Sequence, residues 1–437
     1  MSANDFDSRP LRPYSPAYHY RQRQQRRASP QRDLGHLNLP PGQVFDWLGD
    51  HEHLLAVADK MRRENGPAAG IDGVRFPDLS RAELAGLLRE LVRDIQDGSY
   101  GRGPSRRLRI PKKDRVSFRT LSIPALLDRI VAGAVNLALK PHWEQILLPC
   151  CYGFRPHRSV GRLLAELEAA AIMRNAWVLA IADIANAFDN VPISALIEDH
   201  RQTLTDPRLL NLVEVVLRGA TVAHTRKEHG IEQGNPYSPT GLNIKAHYTL
   251  DLPWTRVPNP LLFRWADDLT LLAASVTEGR NARSRLAEHL ARDGFRLKDI
   301  PQNQEVVDLR QATAQLLGYT VAARPDGTGL WITLGDQART NLEDRLNATR
   351  EHRNPTETAR NVILGWVTAC GPTTECTRYD EMSRIVSQTA AQCGFRESVD
   401  QGRIRKVWKE ARRKWQQRER VRGQECLGIQ SVVTADA

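Results

Sequence analysis

Two adjacent aspartates, Asp267 and Asp268, stand between apolar runs in Phe263-Arg264-Trp265-Ala266-Asp267-Asp268-Leu269-Thr270-Leu271-Leu272. Carboxylates are hard oxygen donors, and a group of them suits Mg²⁺ and the phosphate chemistry that Mg²⁺ supports. On one continuous strand neighbouring side chains point to opposite faces, so the pair could not serve one site. A strand-turn-strand removes the conflict: Leu261–Trp265 rises, the aspartates sit at the bend, and Leu269–Ala273 descends. An ordinary hairpin turn accounts for the same dipeptide, because Asp is a common turn residue. A third carboxylate shifts the balance. Trp177-Val178-Leu179-Ala180-Ile181-Ala182-Asp183-Ile184 has the pattern of a strand buried on both faces. A carboxylate at its end is costly unless it is paired or bound to a metal. Asp183 is therefore a stronger candidate than any surface aspartate, whereas Asp189 reads as a capping or loop residue.

Other elements must bring these carboxylates together. Residues 106–124 read as two short strands around a charged turn, with one densely cationic face. Charge also protects a plain edge hairpin from pairing. If the hairpin overhangs a site, Lys112 and Arg119 can neutralise a triphosphate. Gly230-Ile231-Glu232-Gln233-Gly234-Asn235-Pro236-Tyr237-Ser238-Pro239 is a rigid loop entering a helix, with Ser238 able to cap it and Pro239 in its first turn. Gln233 can offer an amide to a ligand; a capped helix entry with no ligand is the simpler alternative. Cys151-Tyr152-Gly153-Phe154-Arg155-Pro156-His157-Arg158-Ser159 pairs Arg155 and Arg158 with aromatics in a turn, which suits a nucleic-acid backbone or an ordinary helix connection. Amphipathic helices are expected near 42–61, 80–97, 125–148 and 160–174.

The chain has 437 residues, 41% of them hydrophobic, enough for a sizeable core and two or three domains. A net charge of +11 and a pI near 9.6 favour a polyanionic partner, most simply nucleic acid. The six cysteines form no Cys-x-x-Cys, which argues against structural zinc and a disulfide framework. No apolar run reaches the ~18–20 residues of a membrane span, and the Arg-, Pro- and Gln-rich start has no signal core, so a soluble, cytoplasmic protein is expected. Residues 1–40 read as a basic disordered tail, 41–174 as N-terminal helices with the cationic hairpin, 175–330 as the aspartate-bearing part, 331–425 as a helical region and 426–437 as a second tail. The last helix carries Arg403, Arg405, Lys406, Lys409, Arg412, Arg413, Lys414, Arg418, Arg420 and Arg422, with only Glu410 and Glu419, around an apolar stripe of Ile404, Trp408, Ala411 and Trp415. A solvated basic face is one reading, and contact with RNA phosphates is the other.

Taken together and in order, these motifs resemble a bacterial reverse transcriptase of the group II intron-encoded and group II-like branch. The resemblance rests on Ile110-Pro111-Lys112-Lys113-Asp114, Arg119-Thr120-Leu121-Ser122-Ile123-Pro124, Tyr152-Gly153-Phe154-Arg155-Pro156, Asp183-Ile184 with Phe188-Asp189-Asn190-Val191, Gln233 to Pro239 with Asn243, Trp265-Ala266-Asp267-Asp268, and Leu316-Leu317-Gly318-Tyr319. It implies an α/β (α+β) right-hand polymerase with fingers, palm and an all-helical thumb. It also implies RNA-directed DNA synthesis from dNTPs on an RNA template with a DNA or RNA primer. Asp183, Asp267 and Asp268, with the backbone carbonyl of Ile184, would hold two Mg²⁺, or Mn²⁺ in their place. Lys112, Arg119, Phe188, Gln233 and Gly234 would form the nucleotide pocket, with the Phe188 ring excluding a 2′-hydroxyl. Arg155, Arg158, Trp265, Gly318, Arg412, Arg413 and Lys414 would touch RNA or primer. Trp265 replaces the family's usual Tyr. The usual Lys-Thr after Leu297 is absent, leaving Lys298 as a substitute near the leaving pyrophosphate. No Cys/His-bearing nuclease segment follows the thumb. Two other roles fit the same resemblance: a maturase-like RNA-binding scaffold with a dispensable polymerase, and a domesticated enzyme in phage defence, spacer acquisition or sequence diversification.

Overall fold

A computed structural model of the chain describes residues 38–64, 68–111, 118–219, 227–256, 258–335, 337–351, 354–373 and 379–415. The tails expected at 1–40 and 426–437 lie almost wholly outside these, as do Lys112, Arg418, Arg420 and Arg422. The fold is mixed α/β with small antiparallel sheets.

Three helices open it: α1 (Pro41–Leu48), α2 (His51–Glu64) and α3 (Arg81–Gln96). A reciprocal capping box starts α3. Ser80 Oγ accepts from the Glu83 N–H at 3.2 Å, and the Glu83 carboxylate accepts from the Ser80 N–H at 2.7 Å. Strands β1 (Arg106–Pro111) and β2 (Phe118–Ile123) then pair as a two-stranded ribbon, Arg106 opposite Ile123 through Pro111 opposite Phe118. The guanidinium of Arg109 lies over the Phe118 ring, 4.5 Å from its centroid. Helix α4 (Leu126–Ile146) follows, and its buried face joins the leucines of α1 to α3 in one core.

Helix α5 (Val160–Arg174) leads to β3 (Val178–Asp183), then α6 (Ile193–Arg201), α7 (Pro207–Arg218) and α8 (Ser238–Ala246). The chain then returns as β4 (Leu261–Trp265) and β5 (Asp268–Ala273), crosses in α9 (Val276–Ala291), and adds β6 (Val306–Asp308). The central sheet has the order β4-β5-β3-β6, so β3 is interior. Ala180, Ala182, Leu269 and Leu271 belong to the core shared with α4 and α9; Leu179, Phe263 and Leu272 belong to a second core with α5. Cover on both faces is why the 177–184 run lacks the polar alternation of a half-exposed strand.

A three-stranded sheet follows, β7 (Ala314–Leu316), β8 (Tyr319–Ala323) and β9 (Leu330–Leu334). Leu317 and Gly318 make its first turn, both with positive φ. The boundary expected after residue 330 thus falls at the start of β9, and the helical region begins at α10 (Gln337–Ala348). With α11 (Pro355–Ala369), α12 (Tyr379–Gln392) and α13 (residues 401–415) it has its own core around Leu346, Ile363, Val386 and Ile404. Trp415, at the far end of α13, packs into the core of α5 and the sheets instead, so the last helix ties the two parts together.

One polar junction inside the first core sets the approach of the 230–239 loop. Trp143 Nε1 of α4 donates to Tyr237 Oη at 3.1 Å. His200 Nδ1 of α6 is 2.7 Å from the Leu196 carbonyl, and Nε2 is 2.9 Å from Tyr237 Oη. A carbonyl only accepts, so the neutral ring carries its proton on Nδ1 and Nε2 accepts from Tyr237. Burial disfavours the imidazolium and brings the His200 pKa down to about 4. A depressed folded-state pKa gives stability that is complete above pH 6.5 and lost as pH falls through 4. From that shift, about 3 kcal/mol should disappear between pH 7 and pH 4. Urea unfolding at several pH values should show a shallower acid slope for His200→Gln than for the wild type.

Candidate active site

Strands β4 and β5 are joined by two residues, Ala266 and Asp267, with Trp265 opposite Asp268. Ala266 has φ +58°, the left-handed conformation that tight hairpins need at the first loop position. The turn is expected from the sequence, but β5 begins at Asp268, so only Asp267 lies in the bend. Asp268 is the first strand residue, directly opposite Asp183 across the β3–β5 ladder. Directly opposed residues of an antiparallel pair share a face of the sheet. The Ile184 N–H donates to the Asp267 carbonyl at 3.0 Å, which ties the bend to the end of β3. On the other side, the Lys298 N–H donates to the Asp183 carbonyl at 2.7 Å, and Lys298 Nζ lies 3.5 Å from Asp183 Oδ2.

The Gln233 loop docks on β2. The Ser122 N–H donates to the Gln233 carbonyl at 2.7 Å. Gly234 has φ +118°, and a Cβ there would overlap the Ser122 carbonyl oxygen, so this position needs glycine. Below it, Glu232 is buried against Arg102 and Ser105, and Asn235 Nδ2 donates to the Val216 carbonyl at 2.7 Å. Ser238 does not cap α8 as expected. It is the first helical residue, its hydroxyl is buried without a hydrogen-bond partner, and Tyr237 holds the cap position. Phe188 sits in the helical turn Ala187–Asn190 just past β3, and its carbonyl accepts from the Ile231 N–H at 2.8 Å. Its half-buried ring meets the exposed Phe154 edge-on, with centroids 6.3 Å apart. Asp189, in the same turn, is exposed.

Residues 110–321 match the family model described as reverse transcriptase (RNA-dependent DNA polymerase). The chain carries a reverse-transcriptase domain. Protein YkfC of Escherichia coli K12 is 33% identical over 206 residues, covering 46% of this chain and 52% of that protein. The group II intron-encoded protein LtrA of Lactococcus lactis subsp. cremoris is 27% identical over 163 residues, 37% of this chain and 27% of that protein. The chain's matches thus span about half of the first relative and about a quarter of the second. The solved structure of telomerase from Candida albicans with a telomeric RNA fragment aligns with 73% of this chain and 65% of that one, at 12% identity and a TM-score of 0.38.

Within the reverse-transcriptase domain, Asp183, Phe188, Gln233, Gly234, Trp265, Asp267 and Asp268 come from β3, the turn after it, the docked loop and the β4–β5 hairpin. Arg119 is exposed on β2, the strand that receives the loop. Arg155 corrects the expectation of a nucleic-acid contact. Its side chain is only 5% exposed, and its guanidinium donates to the Glu144 carboxylate and to the carbonyls of Leu148 and Cys151. Arg158 lies over the Tyr152 ring, 5.3 Å from the centroid. Trp265 is half-buried against the second core. Gly318 sits in the β7–β8 turn, outside the aspartate hairpin. Beyond the domain, Arg412 also turns inward, donating to the Gly371 and Thr373 carbonyls at the end of α11, while Arg413 and Lys414 pair with Glu410 at the surface.

Among the described residues no three acidic, His or Cys side chains close on a common centre. The donor set still fits a hard divalent cation, because two carboxylates share one face of the sheet end, a third stands in the adjoining bend, and a lysine ammonium already faces Asp183. Arg264 escapes a reading of the sequence. It is fully buried in β4 and paired with the equally buried Asp251. An arginine inside an otherwise apolar strand must find a partner, and that is the available signal. Gly234→Ala should cost about 1–3 kcal/mol in urea unfolding, because it adds both an overlap and a disfavoured φ.

Proposed function

We propose that this chain is an RNA-directed DNA polymerase that extends a DNA or RNA primer with deoxynucleotides on an RNA template. The observation that supports this most directly is the register of β3 on β5, which sets Asp183 opposite Asp268 beside the Asp267 bend inside a reverse-transcriptase domain. In this reading the β1–β2 ribbon and N-terminal helices are the fingers, the four-stranded sheet is the palm, and α10 to α13 are the thumb.

Asp183, Asp267 and Asp268, with the Ile184 carbonyl, would hold two Mg²⁺; Mn²⁺ has the same preference for oxygen. Bound there, the ions would activate the primer hydroxyl and stabilise the charge on the leaving pyrophosphate. The chain's own groups supply position and charge. Lys298 holds a cation against Asp183 and would be displaced toward the departing phosphates. Arg119, with Lys112 of the ribbon, would neutralise the triphosphate. Gln233 and Gly234 would bound the nucleotide, the glycine keeping the backbone close to β2. Phe188 would lie under the sugar, where its ring leaves no room for a 2′-hydroxyl.

A second reading keeps the RNA and drops the synthesis: a maturase-like scaffold. It draws on the exposed Arg403, Arg405, Lys406 and Lys409 along α13, a helix anchored at both ends in different cores. A role in phage defence, spacer acquisition or diversification keeps the polymerase and changes its template. No helix among the described residues is long and apolar enough to cross a membrane.

Primer extension on a defined RNA template decides between the first two. Asp267→Ala with Asp268→Ala should lower synthesis by at least about 1000-fold; undiminished synthesis would sink the polymerase. Phe188→Ala should raise ribonucleotide incorporation by on the order of tenfold or more, measured in competition with the matching deoxynucleotide. Replacing Arg403, Arg405, Lys406 and Lys409 with Gln should weaken RNA binding and reduce its salt slope by roughly 0.7 for each phosphate no longer neutralised. An unchanged slope would remove α13 from the interface.

A further inference from the structure

Arg264 is joined to several of the segments that surround the carboxylate bend. Its N–H donates to the Cys150 carbonyl and its carbonyl accepts from the Tyr152 N–H, both at 2.8 Å, so the 150–152 segment lies along the outer edge of β4. Its Nε and Nη2 donate to the two oxygens of Asp251 at 2.9 and 2.6 Å, a bidentate pair with no exposed surface on either side chain. Its Nη1 donates to Asn243 Oδ1 at 3.0 Å and to the Ala266 carbonyl at 3.3 Å. Asn243 Nδ2 in turn donates to the Gly153 carbonyl at 2.8 Å. Gly153 lies so close to the bend that a Cβ there would be 2.5 Å from the Ala266 nitrogen. The contacts form a closed ring: Arg264 to Asn243, to Gly153, to Ala266, and back to Arg264.

The helix that presents Asn243 and Asp251 is shaped for this. On a regular α-helix, at about 100° per residue, positions eight apart are about 80° out of line. A turn of π-helix, His247–Asp251, absorbs one residue and brings the two side chains to within about 20° of each other. Both then reach the same guanidinium. Burial alone would favour loss of its proton, but the Asp251 carboxylate outweighs that, and Arg264 is held charged more firmly than in water.

We propose that Arg264 is a positioning residue for the carboxylate bend, holding with Asp251 and Asn243 the left-handed Ala266 and its peptide link to Asp267. The proposal rests on the polymerase reading for what the carboxylates then do. It does not rest on it for metal binding by the bend. The planar fork of arginine is what allows one side chain to reach Asp251, Asn243 and the Ala266 carbonyl together, and lysine can keep the charge without the fork.

The test uses the full chain and two variants. Arg264→Lys retains a cation opposite Asp251. Arg264→Met with Asp251→Leu replaces the buried pair by apolar groups, an exchange that proteins often tolerate. Both carry the same expectation, so one variant with wild-type circular dichroism suffices. The kcat of primer extension should fall on the order of 10- to 100-fold, while the dNTP KM stays within about twofold, because the 230–239 loop keeps its own contacts to Ser122, Trp143 and His200. Mn²⁺ binding followed by electron paramagnetic resonance should weaken on the order of tenfold. A folded variant that keeps both kcat and Mn²⁺ affinity within about twofold overturns the proposal. If the wild type does not extend a primer, the polymerase reading fails and Mn²⁺ affinity alone judges the clamp. Equal affinity in wild type and variants, or no binding by the wild type, then overturns it.

Discussion

Asp183 and Asp268 face each other across an antiparallel ladder, on one side of one sheet. Like charges so placed repel, and a sheet free to slip by one residue would relieve the repulsion by sending one of the side chains to the other face. The register is not free to slip. Strand β3 is paired on both edges, to β5 and to β6, and apolar side chains fill both of its faces. A one-residue shift would exchange the two cores' contributions along the whole strand. The packing energy of the sheet therefore holds the two carboxylates in this arrangement, and a cation beside them would lower their repulsion. Lys298 supplies part of that answer through an ammonium 3.5 Å from Asp183. Its backbone N–H is bonded to the same residue, so the cation is delivered by the chain path itself.

The same logic explains why the surroundings of the hairpin are so heavily tied. A non-glycine residue in the left-handed region persists only where its neighbours determine it. Ala266 has the Arg264 guanidinium on its carbonyl and the Gly153 backbone against its nitrogen. The 230–239 loop is fixed by different means. Its glycine lets it lie on β2, and the Trp143–Tyr237–His200 junction anchors its exit into α8. The two pieces are thus tied by different contacts, but α8 serves both, taking the loop's exit at Tyr237 and carrying Asn243 of the Arg264 clamp. They meet again at the end of β3, where the Phe188 carbonyl accepts from the Ile231 N–H of the loop.

Much of this is legible in the residues. The 177–184 run reads as a strand covered on both faces, which matches the architecture, and the two aspartates read as a bend between strands, which holds for Asp267 while Asp268 opens β5. Periodicity reaches that far because it reports which faces are buried. It does not report what a buried polar group bonds to. Arg155 beside aromatics looks like a hand for RNA, yet its acceptors are the Glu144 carboxylate and the carbonyls of Leu148 and Cys151. Arg412 looks like one more member of a basic helix, but it stands beside the turn that follows α11 and satisfies the Gly371 and Thr373 carbonyls there. Ser238 has the right chemistry for a cap and sits one residue too late to act as one. Each of these outcomes is set by a partner or a chain path that local spacing does not encode. Arg264 is the extreme case, since its carboxylate lies across a π turn that no local pattern signals.

Net charge therefore overstates what a polyanion meets. Arg102, Arg129, Arg218, Lys245 and Arg264 are buried, the Arg155 side chain nearly so, and their positive charge is matched by carboxylates or turned onto carbonyls. A buried, bonded guanidinium releases no counterions from a nucleic acid. Exposed cations of the described residues stand on many elements, Arg81, Arg208 and Arg292 among them, and two groups bear on the carboxylates. Arg107, Arg109 and Arg119 stand on the ribbon, which receives the nucleotide loop, and Arg403 to Lys409 stand on α13, whose far end is locked into the sheet core by Trp415. Both groups sit on elements that are packed against the aspartate-bearing part, one through Ser122 and one through Trp415. A strand held by both would have its path fixed relative to the carboxylates by the fold alone, without either group touching the carboxylate end of the sheet.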